Sequence, residues 1–290
     1  MSAEPSSPTG RTTIGRYLPI GYASLMLGVF FLIPFGIMVV TSFYHRVGST
    51  YEPGFEFTHY LRFFSPLFTT HLWVSIKFSV VAAAAAVTIA FPFTYFLSRY
   101  PRKVQVTALV FVLCVLSLSE VIVAYSWSVL LSRPAGISNL LVWLGLMDKP
   151  QSWSRGYWSV LMGLTYFNVP IAVLILYPQC TRLDREITEA ARTMGASPVR
   201  AFFTVVVPML RSSIMSTSIL LFVFTMGAFV TPIWLGRPED WMYAVLIGDQ
   251  VLRRGNAPFA AALAMFFLAV TLVLVLVTVR LGRQREAENP

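Results

Sequence analysis

Six long apolar stretches divide the chain, with shorter polar segments between them. They cover residues 17–44, 73–98, 104–131, 157–180, 212–235 and 258–279. A helix needs about 20 mostly apolar residues to cross a hydrocarbon core of about 30 Å, whereas a membrane strand needs only about ten, with alternating polarity. Each stretch is long enough for a helix and is apolar on every side. The pattern therefore predicts an all-α integral membrane protein with six transmembrane helices.

The composition supports the same class of protein. Of the 290 residues, 56% are hydrophobic and only 12% are charged. A soluble domain carries about a quarter charged residues, so this chain has too little charge to cover a globule in water. Disorder is excluded as well, because disordered chains have low hydrophobicity.

The chain is expected to have one membrane domain with a short polar segment at each end. Residues 1–16 form a polar cytoplasmic leader, which stays attached because the following apolar stretch is too long for a signal-peptide core and lacks a small-residue cleavage site. The six-span domain covers 17–280 and includes an unusually long internal loop, 181–211, between the fourth and fifth spans. Residues 281–290 form a cytoplasmic tail.

The distribution of cations predicts the orientation in the membrane. With a cytoplasmic N-terminus, the segments on that side hold 13 Lys and Arg residues, and the opposite segments hold 8. Cytoplasmic loops carry the excess of cations in membrane proteins, so both termini are predicted to be cytoplasmic. The net charge of +9 then follows from topology and lipid contact, and we expect no nucleic-acid partner.

Loop 181–211 contains residues that typically start and end helices, in an order that predicts a helical hairpin. Asp184 is a favourable N-cap, Gly195 stands where a left-handed residue would end the helix, and Ser197 with Pro198 starts a second helix. An apolar stripe at helical spacing lies between the first two signals, at Ile187, Ala190, Ala191 and Met194. The second helix carries the bulky residues Phe202, Phe203, Val206 and Val207. Such a hairpin can simply lie on the inner leaflet.

A specific string within this loop points to a docking role. Glu189, Ala190 and Ala191 are followed by Gly195 and Ala196, and then by Val206, Val207 and Pro208. The string resembles the EAA signature of permease subunits of binding-protein-dependent ABC importers. Val206 and Val207 stand where that signature has Ile and Leu. The resemblance extends over essentially the whole chain, because span number, orientation and loop placement also agree.

The resemblance implies the type I ABC importer (MetI-like) transmembrane fold, in which this loop supplies a coupling helix that inserts into a cytoplasmic ATPase. Its coupling residues would be Glu189, Ala190, Ala191, Gly195, Ala196 and Pro208. The implied partners are a homologous second permease, a pair of ATP-binding subunits and a periplasmic solute-binding protein, in the inner membrane of a bacterium. ATP and Mg would bind to the ATPase, because this chain has no phosphate-binding G-x4-G-K-[ST] loop. The chain itself is thus expected to be a transport subunit without catalytic residues or cofactors.

Two further segments indicate a class of solute. Residues 136–148 and 227–236 look like the loop after the third span and the end of the fifth span in spermidine/putrescine-type permeases. Permeases for iron, thiamine, phosphonates and opines share much of this pattern. The resemblance therefore suggests a polyamine or another small charged solute.

Three polar residues are candidates for the solute pathway. Glu120 is the one acidic residue deep in a predicted span. Because a charge inside the bilayer costs free energy, such a residue is a candidate for a functional role. It either attracts a cationic solute or is held by hydroxyl groups or an Arg of a neighbouring helix. Asn168 stands near a span proline, where a pore-lining role competes with a structural kink. Asp249 is expected on an external helix, either at the outer mouth or in solvent, with solvation the preferred interpretation.

The remaining features favour no other chemistry. His45, His59 and His71 lie 14 and 12 residues apart in the first external loop, which is too widely spaced for a typical metal site. The amphipathic segments 137–146 and 243–252 could receive a partner on the outer face. The alternative function is an ion-coupled secondary transporter, but the two halves show no repeat and only one buried acid is available for coupling.

Overall fold

The computed structural model describes residues 14–47, 50–133 and 136–287, and the described chain is almost entirely helical. Most of the leader 1–16 and part of the tail 281–290 lie outside the described residues. The longer helices, of nine or more residues, are α1 Ile14–Thr41, α3 Pro66–Leu97, α4 Arg102–Leu116, α5 Glu120–Leu130, α7 Tyr157–Arg182, α8 Arg185–Thr193, α11 Arg211–Met226, α13 Tyr243–Leu252 and α14 Ala257–Ala287. They account for most of the predicted apolar stretches.

Short elements connect the long helices. A hairpin of β1 (His45–Val47) and β2 (Thr50–Glu52) is antiparallel and pairs His45 with Glu52. The short helical pieces are α2 Thr58–Leu61, a 3-10 turn at Arg62–Phe64, α6 Ile137–Trp143, α9 Pro198–Ala201, a π-helical turn at Phe202–Val206, α10 Val207–Met209, α12 Val230–Leu235 and a second 3-10 turn at Pro238–Asp240. Helices α6 and α13 confirm the predicted helical segments of the long loops.

Within the described residues, four helices are long and apolar enough to cross a membrane: Gly21–Thr41 in α1, then α3, α7 and Ala257–Arg280 in α14. Two bent pairs pass the same test when each pair is taken together, which gives up to six spans. The chain therefore has the helical content of the predicted membrane domain, but two of the predicted spans are interrupted.

The third predicted span, 104–131, is not one straight helix. Helix α4 ends at Leu116, α5 begins at Glu120, and their axes differ by 88°. The Ser117 hydroxyl donates to the Leu113 carbonyl at 2.9 Å, and Ser119 is extended, with ψ at 130°. The break therefore lies between Ser117, which caps α4, and Ser119, which precedes α5.

The fifth predicted span, 212–235, is interrupted as well. Helix α11 ends at Met226, residues 227–229 leave the helix, and α12 follows. At its other end, the segment 198–209 meets α11 at 71°. The π-helical turn before that bend follows from Pro208, which cannot donate to the Thr204 carbonyl and would clash with it, so the Val207 amide reaches back to the Phe202 carbonyl instead.

Small residues bring the central helices together. Ala82, Ala83 and Ala86 on α3 are at most 3% exposed, and the last two share a core cluster with α7 residues such as Val173 and Leu176. Small residues at helical spacing allow two helices to pack closely in this way. A methyl group at Gly163 of α7 would lie 2.7 Å from side-chain atoms of α12, so α12 also packs closely on α7.

Candidate functional site

The hairpin between α7 and α11 begins as the sequence predicts. The Asp184 carboxylate accepts a hydrogen bond from the Glu186 amide at 3.0 Å, which caps α8. The Ser197 hydroxyl accepts one from the Arg200 amide at 3.3 Å, which caps α9. Both predicted caps are confirmed. Each satisfies an amide that a helix start would otherwise leave unpaired.

Gly195 ends α8 in the predicted left-handed conformation, with φ at +90°. The Gly195 amide donates to the Arg192 carbonyl at 3.0 Å, and the Ala196 amide donates to the Ala191 carbonyl at 3.1 Å. These two bonds form a Schellman motif, which requires a positive φ at the glycine position. A side chain at Gly195 would have no atom within 4 Å, so the end of α8 is open to an approaching molecule.

The buried face of α8 differs from the predicted apolar stripe. Thr188 and Ala191 are 8% and 7% exposed and face the rest of the chain, whereas Ile187, Ala190 and Met194 are exposed. The Thr188 hydroxyl tolerates burial because it donates to the Arg185 carbonyl. Ala191 thus packs within this chain, and its expected place on a docking face is wrong.

A groove of about 550 Å³ runs beside the end of α8. It is lined by Glu189, Arg192, Thr193, Gly195, Ala196, Ser197 and Pro198. Three of the predicted coupling residues therefore share one surface, next to exposed Ala190. Pro208 lies outside the groove, in α10 at the bend before α11.

The hairpin is attached to the loop between α3 and α4. The Arg185 guanidinium donates to the Ser98 carbonyl at 3.3 Å and to the Arg99 carbonyl at 3.4 Å. Gln105 holds the same loop, because its amide donates to the Ser98 carbonyl at 3.1 Å and to the Tyr100 carbonyl at 2.7 Å. Arg185 is therefore bound to the backbone of its own chain. These contacts place α8 on the same side as the basic segment 99–103.

Glu120 connects the two interrupted segments. It is the first residue of α5, and its Oε1 atom accepts hydrogen bonds from the Thr231 hydroxyl at 2.9 Å and the Thr231 amide at 3.3 Å. Thr231 lies in the first turn of α12, so a carboxylate faces the positive end of a short helix. Of the two expected environments, the structure gives Glu120 a hydroxyl partner, and it also places the residue at the edge of a cavity.

Asn168 lines that same cavity, at 1% exposure. Its side-chain amide donates to the Thr225 hydroxyl at 2.7 Å, which connects α7 to α11. That Asn168 and Glu120 share one cavity could not be predicted from their positions, because they come from different spans. The two residues border a space of about 220 Å³.

Asp249 has a different environment from the one preferred from the sequence. Its side chain is only 14% exposed. The carboxylate accepts a hydrogen bond from Arg254 Nε at 3.0 Å and forms an ion pair with Arg253, whose Nε lies 3.7 Å away. The expectation of a solvated carboxylate is therefore wrong, since the charge is paired. It borders a small space that Phe229 also lines and that does not include Glu120.

Two features of this site were not predicted: the contact of Thr231 with Glu120, and the position of Phe229. The pair Thr231-Pro232 signals a helix break but gives no sign of a partner on α5. Phe229 lines both the Glu120 cavity and the Asp249 space. Nothing in the sequence distinguishes it from the other phenylalanines.

A second groove, of about 510 Å³, lies at the opposite ends of the helices from α8. Its lining includes Trp153, Arg155, Arg237 and Asp240. The segments are joined by backbone bonds from the Trp153 amide to the Leu131 carbonyl at 2.8 Å and from the Gly156 amide to the Leu235 carbonyl at 2.9 Å. The start of α7, the end of α5 and the end of α12 therefore form one surface.

The histidines of the first loop form polar contacts. His45 Nδ1 lies 2.8 Å from Glu56 Oε2, and His59 Nε2 lies 3.5 Å from the same oxygen. The Thr58 hydroxyl also donates to Glu56, and together with His45 it lowers the pKa of that carboxyl. Across residues 14–47, 50–133 and 136–287, no group of three or more potential ligands is suited to hold a metal ion.

Comparison with known proteins identifies the family. A family model described as "Binding-protein-dependent transport system inner membrane component" matches residues 90–285. The chain belongs to this family and is thus a multi-pass inner-membrane permease subunit of a binding-protein-dependent ABC importer. It is a transport subunit rather than an enzyme.

The chain is also similar to individual members over most of its length. The spermidine/putrescine transport system permease protein PotB of Escherichia coli K12 is 28% identical, over 89% of this chain and 94% of the relative. PotB of Haemophilus influenzae is 27% identical, over 88% of this chain and 89% of the relative.

A solved structure supports the fold. A crystal structure of a bacterial ABC transporter involved in the import of the acidic polysaccharide alginate contains a chain that superimposes with a TM-score of 0.71 at 18% identity. The match covers 93% of this chain and 97% of that one. The fold is therefore that of a type I ABC importer transmembrane domain (MetI-like).

Proposed function

We propose that this chain forms half of the solute pathway of an ATP-driven importer, paired with a homologous permease subunit. Two ATP-binding subunits dock on the cytoplasmic side and supply ATP and Mg chemistry, while a periplasmic binding protein delivers solute to the other side. The observation that carries the proposal is the exposed face of α8, with its groove at Gly195, in a chain of this family.

Both termini are cytoplasmic in this proposal. Arg185 of the hairpin contacts the backbone of the loop that carries Arg99, Arg102 and Lys103, so the hairpin and this basic loop share a side. The excess of cations on that side supports a cytoplasmic location. The groove near Trp153 and Arg237 then faces the periplasm, where the binding protein docks.

Helix α8 acts as the coupling helix in this proposal. Ala190 is small and exposed, and the space beyond Gly195 is empty, so the surface of another protein can approach the backbone closely. Glu189 and Arg192 line the groove and provide charges of both signs that orient the docked ATPase. Movement of the docked ATPase is transmitted through the π-helical turn and α10 to α11.

The solute is a polyamine or another small charged organic molecule. The names of the PotB relatives support a polyamine, and the acidic residue in the interrupted segments supports a cation. Glu120 and Asn168 are the pathway residues in this proposal. Asp249 is the weaker candidate, because Arg253 and Arg254 already neutralise it.

Affinity purification in mild detergent, followed by mass spectrometry of the associated proteins, tests this proposal. We expect a P-loop ATPase and a second EAA-bearing permease in the purified complex. Recovery of this chain alone would instead favour an ion-coupled secondary transporter.

A further inference from the structure

The cavity between the interrupted segments has an unusual set of lining groups. It measures about 220 Å³ and lies where the start of α5, the middle of α7 and the break after α11 meet. Its polar groups come from Glu120, Asn168, Thr225 and Thr231, and its aromatic groups from Phe167, Phe224 and Phe229. Among the described residues, no Lys, Arg or His lines it. The lining therefore combines one acidic side chain with three rings and no cation.

Glu120 uses only one of its two carboxyl oxygens within this chain. Both hydrogen bonds from Thr231 reach Oε1. In the described parts of the chain, Oε2 has no hydrogen-bond donor and Glu120 has no salt-bridge partner. An acidic oxygen without a donor at the edge of a cavity is costly unless a cation or water approaches it.

Asn168 offers a second acceptor. The Thr225 hydroxyl donates to the Leu221 carbonyl at 2.7 Å, so it can only accept from the Asn168 amide. This arrangement fixes which end of the Asn168 side chain faces Thr225, and it leaves Oδ1 as an acceptor. The cavity therefore offers two acceptor oxygens but no charged donor.

We infer that this cavity binds a primary ammonium group of an organic cation. Glu120 Oε2 supplies the opposite charge, Asn168 Oδ1 supplies a second acceptor, and the rings of Phe167, Phe224 and Phe229 supply faces that attract cations. An anionic solute would be repelled by the carboxylate, and a neutral solute would gain only a hydrogen bond without the attraction of opposite charges. The inference rests on the proposed function, since it assigns a ligand to the solute pathway of an importer.

The size of the cavity limits what it holds. Sites that enclose a whole drug-sized ligand measure roughly 300–1,000 Å³, so about 220 Å³ suits one end of an elongated cation. Phe229 also lines the space next to Asp249, so one side chain borders both spaces. The rest of an elongated solute would extend away from Glu120 into the pathway.

Uptake by the complete importer in proteoliposomes tests the assignment, with spermidine and putrescine as probes. Glu120→Gln keeps the side-chain volume and the acceptor for Thr231 but removes the negative charge. We expect at least a tenfold rise in KM or loss of uptake, while the ATPase and the second permease still co-purify with the variant. Glu52→Gln, the same change on the exposed β2 strand, serves as the matched control and should alter uptake less than twofold.

A labelling experiment keeps the inference testable if Glu120→Gln fails to transport for other reasons. A cysteine at Gly227 is compatible with the fold, because an added Cβ there would meet only the Phe224 carbonyl at 3.8 Å. In the Gly227→Cys complex, we expect a cationic methanethiosulfonate reagent to react at least tenfold faster than an anionic one of similar size, and spermidine to slow it. Adding Glu120→Gln should bring the two rates close together.

The possible failures of the two proposals are distinguishable. Unchanged uptake in Glu120→Gln, or equal reaction of both reagents at Gly227→Cys, would overturn the ammonium site. If an active ATPase were still associated with the chain, the proposed importer function would stand. Absence of any ATPase would overturn the importer function, whereas the labelling rates would still report the charge preference of the cavity.

Discussion

Glu120 and Thr231 lie 111 residues apart in the chain, yet the Thr231 hydroxyl is 2.9 Å from Glu120 Oε1. The contact joins the first turn of α5 to the first turn of α12. Both helices begin after a break in a predicted span, so one hydrogen-bonded pair holds two interrupted segments in register. This contact positions a carboxylate within the membrane domain. It also provides an acceptor for the Thr231 amide, which has no partner within its own helix.

Thr231→Val tests the stabilising effect of this pair. Valine keeps the shape of threonine but removes the hydroxyl that binds a carboxylate, and hydrogen bonds to charged groups contribute about 1.5–3 kcal/mol. We expect the free energy of unfolding to fall by about 2 kcal/mol, measured by denaturant titration in detergent. Thr88→Val, at an exposed site where the hydroxyl binds only the Ala84 carbonyl, is the matched control. Equal effects of the two substitutions would contradict this role.

Gly195→Ala tests the end of α8. A non-glycine residue at φ +90° is strained by about 1–2 kcal/mol, although no atom lies within 4 Å of the added Cβ. We expect the end of α8 to shift and the purified complex to lose most of its ATPase, while thermal stability in detergent changes little. Gly28→Ala, in α1 with no neighbour within 4 Å, should keep the ATPase. Full ATPase retention in Gly195→Ala would count against the hairpin as the docking surface.

Substitutions at Ala190 and Ala191 distinguish an effect on ATPase docking from an effect on folding. Ala190 is exposed, so Ala190→Arg should leave the fold intact and reduce the co-purified ATPase at least tenfold by blocking close approach. Ala191 is 7% exposed, so Ala191→Arg should lower the yield of folded protein instead, because it buries an unpaired charge. Gln151→Arg, on an exposed loop at the other side, is the control for added charge. The reverse pattern would mean that the assigned faces of α8 are wrong.

The first loop should show a pH dependence through Glu56. The Thr58 hydroxyl and His45 lower the pKa of this carboxyl, so the folded state binds its proton less readily than the unfolded state. Its stabilisation is therefore present above the unfolded pKa, about 4.3, and is lost as pH falls through the lower folded value. We expect the drop in unfolding temperature between pH 6 and pH 3 to be smaller in Glu56→Gln than in the unmodified protein. An identical drop would exclude this contribution.

Local signals in the sequence predicted much of the hairpin. Asp184, Gly195 and Ser197 act within a few residues of their own position, so their capping roles could be inferred from spacing alone. The direction in which α8 faces could not, because the burial of Thr188 and Ala191 depends on how the following helical segment packs against α8. The alanine run of α3 was likewise recognisable, since small residues at helical spacing permit close packing.

The cavity that Glu120 and Asn168 share could not be predicted from the sequence pattern. Glu120 and Asn168 were identifiable as polar residues in apolar stretches, but their common cavity depends on the breaks after Leu116 and Met226. Continuous apolar stretches hide such breaks, because hydropathy does not distinguish a straight span from a bent one. The Thr231 contact depends on the same bends, and the pairing of Asp249 with Arg253 and Arg254 depends on how α13 ends.

ATP-dependent uptake by the purified complex tests the central claim most directly. Liposomes that contain the complex, with ATP on the side of the hairpin and binding protein on the other, should accumulate radiolabelled spermidine or another small charged solute. Uptake should stop without ATP. Accumulation by this chain alone, in the absence of ATP and of any ATPase, would contradict the account and identify a secondary transporter.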